Sequence, residues 1–167
     1  MLALQRAVGN RAVTQLIARA GTDLKLHEKV PNKSETDTVG AIAKKIKRTD
    51  PEFANLVTSS NADIVFKDEE GTGADKVMSQ RLSDKLDDLA TKVKSEWSAN
   101  KLRVTEAWDE QGEHSSTSQH YEGRAADLTV DDKDSAKLGR LARLAVDAGF
   151  DWVFYEDKAH VHASVTK

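Results

Sequence analysis

The histidines of this chain are concentrated in its last third. Four of the five lie between positions 114 and 162, in polar loops or near the ends of predicted elements. His120 and Asp127 are seven residues apart, and Gly123 between them lets the backbone turn. His160 and His162 point to the same side of a predicted strand, because strand side chains alternate. A catalytic zinc ion commonly takes three N or O ligands plus water. The spacing is compatible with such a site, and equally with ordinary hydrogen-bonded histidines.

The composition excludes several other kinds of site. The chain has 167 residues, no cysteine and a formal net charge of -3, with 25 basic residues interspersed among 28 acidic ones. Without cysteine there is no disulfide, thiol nucleophile or cysteine-rich zinc knuckle, so histidines and carboxylates must hold any metal. The mixed charge argues against a nucleic-acid partner. No apolar run approaches the roughly 18 residues that span a bilayer, and no signal peptide is recognisable, so we expect no membrane partner.

Hydrophobic periodicity predicts the elements that position these residues. Apolar residues repeat at spacings of three and four over 78–97, which predicts a long helix, and a second principal helix is predicted over 135–148. Alternating or β-branched runs predict strands, at 63–66, 102–107, 124–130, 152–155 and 161–165. Helices and strands interleave without a strict βα repeat, so we predict an α+β fold.

The first 60 residues are predicted to be peripheral. Residues 1–20 carry apolar side chains at helical spacing, which predicts an amphipathic helix that ends at Gly21. We interpret 21–60 as a linker with a peripheral helix over 39–47, and 61–167 as the main domain. The pattern LQRAVGNRAV resembles a stretch near the N-terminus of many bacterial secreted and toxin-associated proteins, which favours a bacterial source.

Longer stretches resemble known families. The pattern S-x-H-x-x-G-x-A-x-D, followed by H-x-H, resembles zinc peptidases that cut D-alanyl peptides. The signalling domain of hedgehog proteins is more similar still, through four segments: DIVFKDEEGTGADKVMSQRL, KLRVTEAWDE, HYEGRAADLT and LARLAVDAGFDWVFYEDKAHVHASV. The resemblance covers about 61–165. It implies a mixed β-sheet with two principal helices and a zinc ion at the bottom of a groove.

The resemblance also implies roles for individual residues. The zinc ligands would be His120, Asp127 and His162. Glu156 matches an acidic residue beside the zinc-bound water, where a carboxylate can act as a base. His160 and His114 match catalytic positions that hydrogen-bond an oxyanion or orient the water. The alternative for Glu156 is a surface ion pair, and for His114 an exposed loop position.

A paired calcium site is implied in two loops that follow strands. Its ligands would be Glu69, Glu70, Asp75, Glu106 and Asp109. Carboxylates on flexible loops suit calcium, which takes about six to eight oxygen ligands. Gln111 stands where the family usually carries a further aspartate, so one ligand charge is lost. Without the resemblance, solvated surface would be the preferred interpretation of these acidic residues.

Together these assignments predict a zinc metallopeptidase that hydrolyses D-alanyl or related peptidoglycan peptide bonds. Zn²⁺ would be its cofactor, Ca²⁺ its regulator and a peptidoglycan fragment its substrate, in an extracytoplasmic or secreted location. The alternative is a catalytically weak, zinc- and calcium-stabilised binding or signalling module, because hedgehog domains keep the zinc ligands while acting mainly through receptor contacts. A third is an interaction domain that contacts a secretion system or another protein through residues 1–20.

Overall fold

The computed structural model describes residues 33–68 and 71–167. Its strands are β1 (Leu56–Thr58), β2 (Ile64–Phe66), β3 (Val77–Ser79), β4 (Leu102–Glu106), β5 (Ala125–Val130), β6 (Trp152–Phe154) and β7 (Val161–Ser164). Five of them form a mixed sheet in the order β2-β4-β5-β7-β6. β2 and β4 are parallel, and the other adjacent pairs are antiparallel. β1 and β3 form a separate antiparallel pair.

Three α-helices accompany the sheets in the described ranges. They are α1 (Glu35–Val39), α2 (Gln80–Glu96) and α3 (Leu138–Asp147). The hydroxyl of Ser79 caps α2 by accepting a hydrogen bond from the backbone N–H of Leu82. Helix α2 then buries an apolar stripe at spacings of three and four, made of Leu82, Leu86, Leu89 and Val93. None of the described helices is long and apolar enough to cross a membrane.

The two principal helices cover one face of the five-stranded sheet. Alternate residues of β5 join the same buried cluster as the helix leucines: Ala126, Leu128 and Val130. In β7 the residues that do so are Val161 and Ala163. Because strand side chains alternate, Asp127 and His162 lie on the opposite face. The fold therefore separates an apolar core on one side of the sheet from titratable side chains on the other.

Most predicted elements are confirmed, and the α+β class with a mixed sheet and two principal helices is correct. The helix predicted over 39–47 was wrong. The helix in this region is α1, which ends where Gly40 adopts a φ of 82°. Backbone N–H groups beyond it pair outside the segment: that of Ala43 donates to the Glu122 carboxylate and that of Ile46 to the carbonyl of Tyr121. These contacts replace helical hydrogen bonds. The helix predicted over 1–20 lies outside the described residues.

A buried ion pair holds this N-terminal arm, residues 40–46, against the sheet. Arg124 is 2% exposed, and its Nε donates to Glu122 at 2.8 Å. Its Nη1 donates to the carbonyl oxygens of Val39 and Val165, each at 3.0 Å. Burial would raise the pKa of Glu122, but the hydrogen bonds from Ala43 and Arg124 outweigh it and lower that pKa. Helix α1 immediately precedes this arm, so this pair also positions α1.

Candidate metal centre

Two antiparallel strands and one tight turn position the predicted zinc ligands. Asp127 on β5 lies opposite His162 on β7 in the strand register. His120 belongs to a 3-10 turn, Gln119–Glu122, that ends at Gly123 with a φ of 62°. A Cβ at Gly123 would lie 3.0 Å from the Cα of Met78, so glycine is required by both conformation and space. The turn brings the fully buried His120 ring against the two strand residues.

The three predicted ligands converge on one point. His162 Nδ1 lies 2.9 Å from Asp127 Oδ1 and 3.3 Å from His120 Nε2. His120 Nε2 lies 3.5 Å from Asp127 Oδ1. Ligand atoms around a tetrahedral zinc ion with bonds of about 2.0–2.1 Å are separated by about 3.3 Å. These separations suit a small divalent cation without rearrangement of the strands.

The outer nitrogens of both histidines have acceptors. His120 Nδ1 donates to the carbonyl oxygen of Ala107 at 2.6 Å, which leaves Nε2 as the free lone pair. His162 Nε2 lies 2.8 Å from the Glu35 carboxylate, which leaves Nδ1 for a metal. Metal-binding histidines typically show this arrangement, because the acceptor fixes the ring and raises its basicity. Sequence reasoning missed Glu35, which lies 127 positions from His162 in a segment interpreted as linker.

Electrostatics distinguish the two imidazoles. Complete burial lowers the pKa of His120, so its ring is neutral and ready to coordinate. Burial would also lower the pKa of His162, but hydrogen bonds with Asp127 and Glu35 outweigh it and raise that pKa to about 10. Burial would raise the pKa of Asp127, yet its histidine neighbours hold it far below its usual range. A divalent cation therefore competes with a proton for His162 Nδ1, and we expect its binding to release that proton.

The remaining predicted site residues line the groove above the ligands. This groove has a volume of about 370 Å³, with Asp127 and His162 among its lining residues. His160 Nε2 lies 3.0 Å from Glu156 Oε2 and 3.7 Å from Asp127 Oδ2. The His114 ring stacks on His120 with centroids 4.1 Å apart. The structure thus brings together all six residues assigned to the zinc centre: His114, His120, Asp127, Glu156, His160 and His162.

His114 is a geometric competitor of His162 for the third ligand position. Its ligand atom lies within 4.8 Å of those of His120 and Asp127. However, its Nδ1 is 3.0 Å from Asp109, and its Nε2 is 3.8 Å from Asp127 Oδ2. Burial would lower the pKa of His114, but these carboxylates raise it to about 9. We favour His162 as the ligand because its Nδ1 lies 2.9 Å from Asp127 Oδ1, whereas His114 Nε2 lies 3.8 Å from Asp127 Oδ2.

The described residues of the predicted calcium site also meet. Asp75, Glu106 and Asp109 line a small cavity of about 20 Å³, and Gln111 also lines it. Burial raises the pKa of Glu106 to about 7; His114 opposes this rise and the neighbouring aspartates add to it. A bound cation would reduce the electrostatic repulsion among such closely spaced carboxylates. The other predicted ligands, Glu69 and Glu70, lie outside the described residues.

Glu35→Gln is expected to weaken zinc binding by about 10- to 100-fold, because the amide is a weaker acceptor for the His162 N–H than the carboxylate. Competition with a chromophoric chelator measures the affinity. Asp37→Asn, an exposed acidic position on the same helix, is the matched control and should bind zinc like the wild type. Equal affinity of the Glu35 variant would show that this contact does not support the ligand.

Comparison with known proteins decides the family. The hedgehog amino-terminal signalling domain matches residues 7–164. This chain belongs to that family. It is 53% identical over 147 residues to the Sonic hedgehog protein of Danio rerio, covering 86% of this chain and 35% of that protein. It is 56% identical over 138 residues to the Indian hedgehog protein of Gallus gallus, covering 81% and 34%. The protein hedgehog of Drosophila hydei is 51% identical over 144 residues, covering 85% and 30%.

The chain spans about a third of the length of the curated relatives it matches. Its family membership confirms the resemblance to hedgehog signalling domains and corrects the predicted activity. The matched family is a signalling domain and the relatives are hedgehog proteins, so the predictions of a zinc metallopeptidase and of a peptidoglycan substrate were wrong. The catalytic roles assigned to Glu156, His160 and His114 lose their basis with that activity. A metal centre of this composition can be kept for binding or stability alone, so its ligands do not by themselves imply hydrolysis.

Proposed function

We propose that this hedgehog domain is a signalling ligand that binds a receptor protein outside the cell. The observation that carries the proposal is the family match, which extends over nearly the whole chain. Its relatives are hedgehog proteins from vertebrates and from Drosophila. The binding or signalling module, named above as the alternative to a peptidase, is therefore the better interpretation.

The groove above the metal ligands is the proposed receptor-binding face. Its wall includes Trp152 and Phe154 on β6, and Phe154 is 40% exposed. The next residue, Tyr155, is 46% exposed. Aromatic side chains are enriched at the centres of protein interfaces, because they bury a large area at a small entropy cost. Exposed aromatic side chains beside the polar metal ligands suit the binding of a protein partner.

Zinc is the proposed occupant of the site made by His120, Asp127 and His162. Two imidazoles and one carboxylate form a ligand set that zinc accepts readily. A zinc ion there would tie together two strands and the 3-10 turn, and so give the groove a rigid floor. Calcium is proposed at the acidic cavity, where Asp75, Glu106 and Asp109 would be joined by Glu69 and Glu70.

The proposal is tested by displacement at the cell surface. The purified chain should displace the labelled amino-terminal domain of the Danio rerio Sonic hedgehog protein from Danio rerio cells that respond to hedgehog. Phe154→Asp should weaken displacement at least about tenfold, because it places a charge in the docking face. Val65→Asp is the matched control: Val65 is 38% exposed on β2, at the opposite edge of the sheet, and its change should have little effect.

Parallel assays with and without calcium determine whether the acidic cavity contributes to binding. A wild-type chain that displaces nothing would contradict the signalling function. Displacement by the Phe154 variant equal to that by wild type would keep the function but exclude this face of the groove.

A further inference from the structure

We infer that this domain binds a second divalent cation, through Asp127, Glu156 and His160, with Asp127 bridging the two ions. The inference rests on the metal centre proposed above and adds a site to it. The first observation is that the two carboxylate oxygens of Asp127 have different neighbours. Oδ1 is the atom within 2.9 Å of His162 and 3.5 Å of His120. Oδ2 lies 3.7 Å from His160 Nε2 and 3.8 Å from His114 Nε2.

The loop between β6 and β7 presents the two other ligands. Asp157 Oδ1 accepts hydrogen bonds from the backbone N–H groups of Ala159 at 2.6 Å and His160 at 3.2 Å, which closes a tight turn. Glu156 and His160 stand on either side of this turn, and their side chains meet at 3.0 Å. One ligand atom from each of Asp127, Glu156 and His160 lies within 4.8 Å of the others. One side chain from β5 and two from the β6–β7 loop therefore surround a second possible ion position beside the first site.

The second metal site is accessible to solvent. The exposed fraction of the side chain rises from 11% at Asp127 to 24% at His160 and 47% at Glu156. An ion could enter from the groove and keep water molecules as its remaining ligands. One imidazole and two carboxylates favour zinc over calcium, which prefers oxygen ligands alone. Pairs of cations held about 3.5–4 Å apart are common where metal sites adjoin.

The burial and charge around the two metal sites predict which site binds an ion first. The first metal site lies among buried side chains with fixed hydrogen-bond partners. The second site depends on the exposed Glu156, and an ion there would be repelled by the positive charge of the first ion. The first ion should therefore bind more tightly, and the second should bind only when zinc is more plentiful. When bound, the second ion would fasten the β6–β7 loop to the groove floor. Access to the groove would then depend on the zinc concentration.

Cobalt(II) is the probe for the test, because its absorption reports coordination and its electron spin reports a neighbouring ion. The metal-free full chain is titrated with cobalt and followed by absorption and electron paramagnetic resonance. Wild type should bind two ions in succession, the second at least about tenfold more weakly. The resonance of the first ion should diminish as the second binds, because the shared carboxylate couples their spins. Glu156→Gln and His160→Asn should each bind one ion with an unchanged first spectrum, which also shows that they fold.

Asp157→Asn is the matched control, because the amide oxygen can still accept the turn hydrogen bonds and the residue is not a proposed ligand. It should bind two coupled ions like the wild type. A single ion in wild type would overturn the second site and leave the first intact. Two ions without spin coupling, or a second ion that persists in both ligand variants, would equally overturn it as surface binding. Failure of wild type to bind any ion would instead overturn the metal centre on which the inference rests.

Discussion

Asp127→Ala should strongly weaken metal binding by this domain. The carboxylate is the only anionic member of the proposed zinc ligand set, and it contacts both ligand histidines. Structural zinc sites bind with about 10–16 kcal/mol, so one ligand of three or four contributes roughly 3–4 kcal/mol. Affinity should therefore fall by about 150- to 1000-fold. Metal analysis after dialysis and competition with a chelator measure the loss. His120→Ala and His162→Ala should also lose metal.

A matched control separates metal loss from damage to the strand. Thr129→Val alters the same strand two positions away, on the same buried face, and should retain zinc. Zinc should raise the unfolding temperature of wild type and of the Thr129 variant but not that of Asp127→Ala, because a ligand stabilises only the state that binds it. Full zinc content in any one of the three ligand variants would remove that residue from the set.

Arg124→Met should be among the most destabilising single substitutions in the described part of the chain. The guanidinium is buried with Glu122 and also satisfies the carbonyl oxygens of Val39 and Val165. Among the described residues, its removal would leave the buried Glu122 carboxylate with only its contacts to Ala43 and Lys167. Loss of one partner of a buried ion pair costs about 3–5 kcal/mol in comparable pairs. Urea unfolding measures the free energy of unfolding. Zinc affinity should fall as well, because the arm that connects α1 and its Glu35 to the sheet loses its anchor.

A double variant shows whether the buried charge causes this loss. Glu122→Gln combined with Arg124→Met removes both charges, and it should be more stable than Arg124→Met alone because no buried carboxylate then lacks its guanidinium partner. Arg124→Lys keeps the charge but cannot make the same set of hydrogen bonds, so an intermediate loss is expected. A cost below about 1 kcal/mol for Arg124→Met would show that the arm is held mainly by other contacts.

Local sequence predicted most of the regular structure, for reasons visible in individual elements. The stripe of Leu82, Leu86 and Leu89 could face a core only as a helix, and the β5 and β7 segments could place alternate residues on opposite faces only as strands. The arm after α1 was predicted wrongly. Its lysines and alanines favour a helix, but its N–H groups are satisfied by Glu122 and Tyr121, which are close only in the folded chain. Tertiary hydrogen bonds therefore overrode local propensity.

The candidate metal centre also contains residues that the sequence predicted and one that it did not. His120, Asp127 and His162 were identified because their spacing and surrounding motifs resemble those of a family, and the register of β5 with β7 brings the last two together. No motif in the sequence indicated that Glu35 contacts the site. Its role depends on the arm that returns α1 to the sheet, which no local pattern specifies. The error about peptidase activity has another origin: hydrolysis requires stabilisation of a transition state, and the identity of metal ligands does not measure that stabilisation.

The sequence by itself determined the family, the α+β class and the residue types available to hold a metal. Those features are encoded in local spacing, in side-chain alternation and in the absence of cysteine, and each can be recognised without coordinates. Only the tertiary structure decided which oxygen of Asp127 faces which histidine, which carboxylate supports His162, and which loop places Glu156 beside His160. These relations join positions far apart in the chain, so they arise only when packing of the core fixes the strand register and closes the groove.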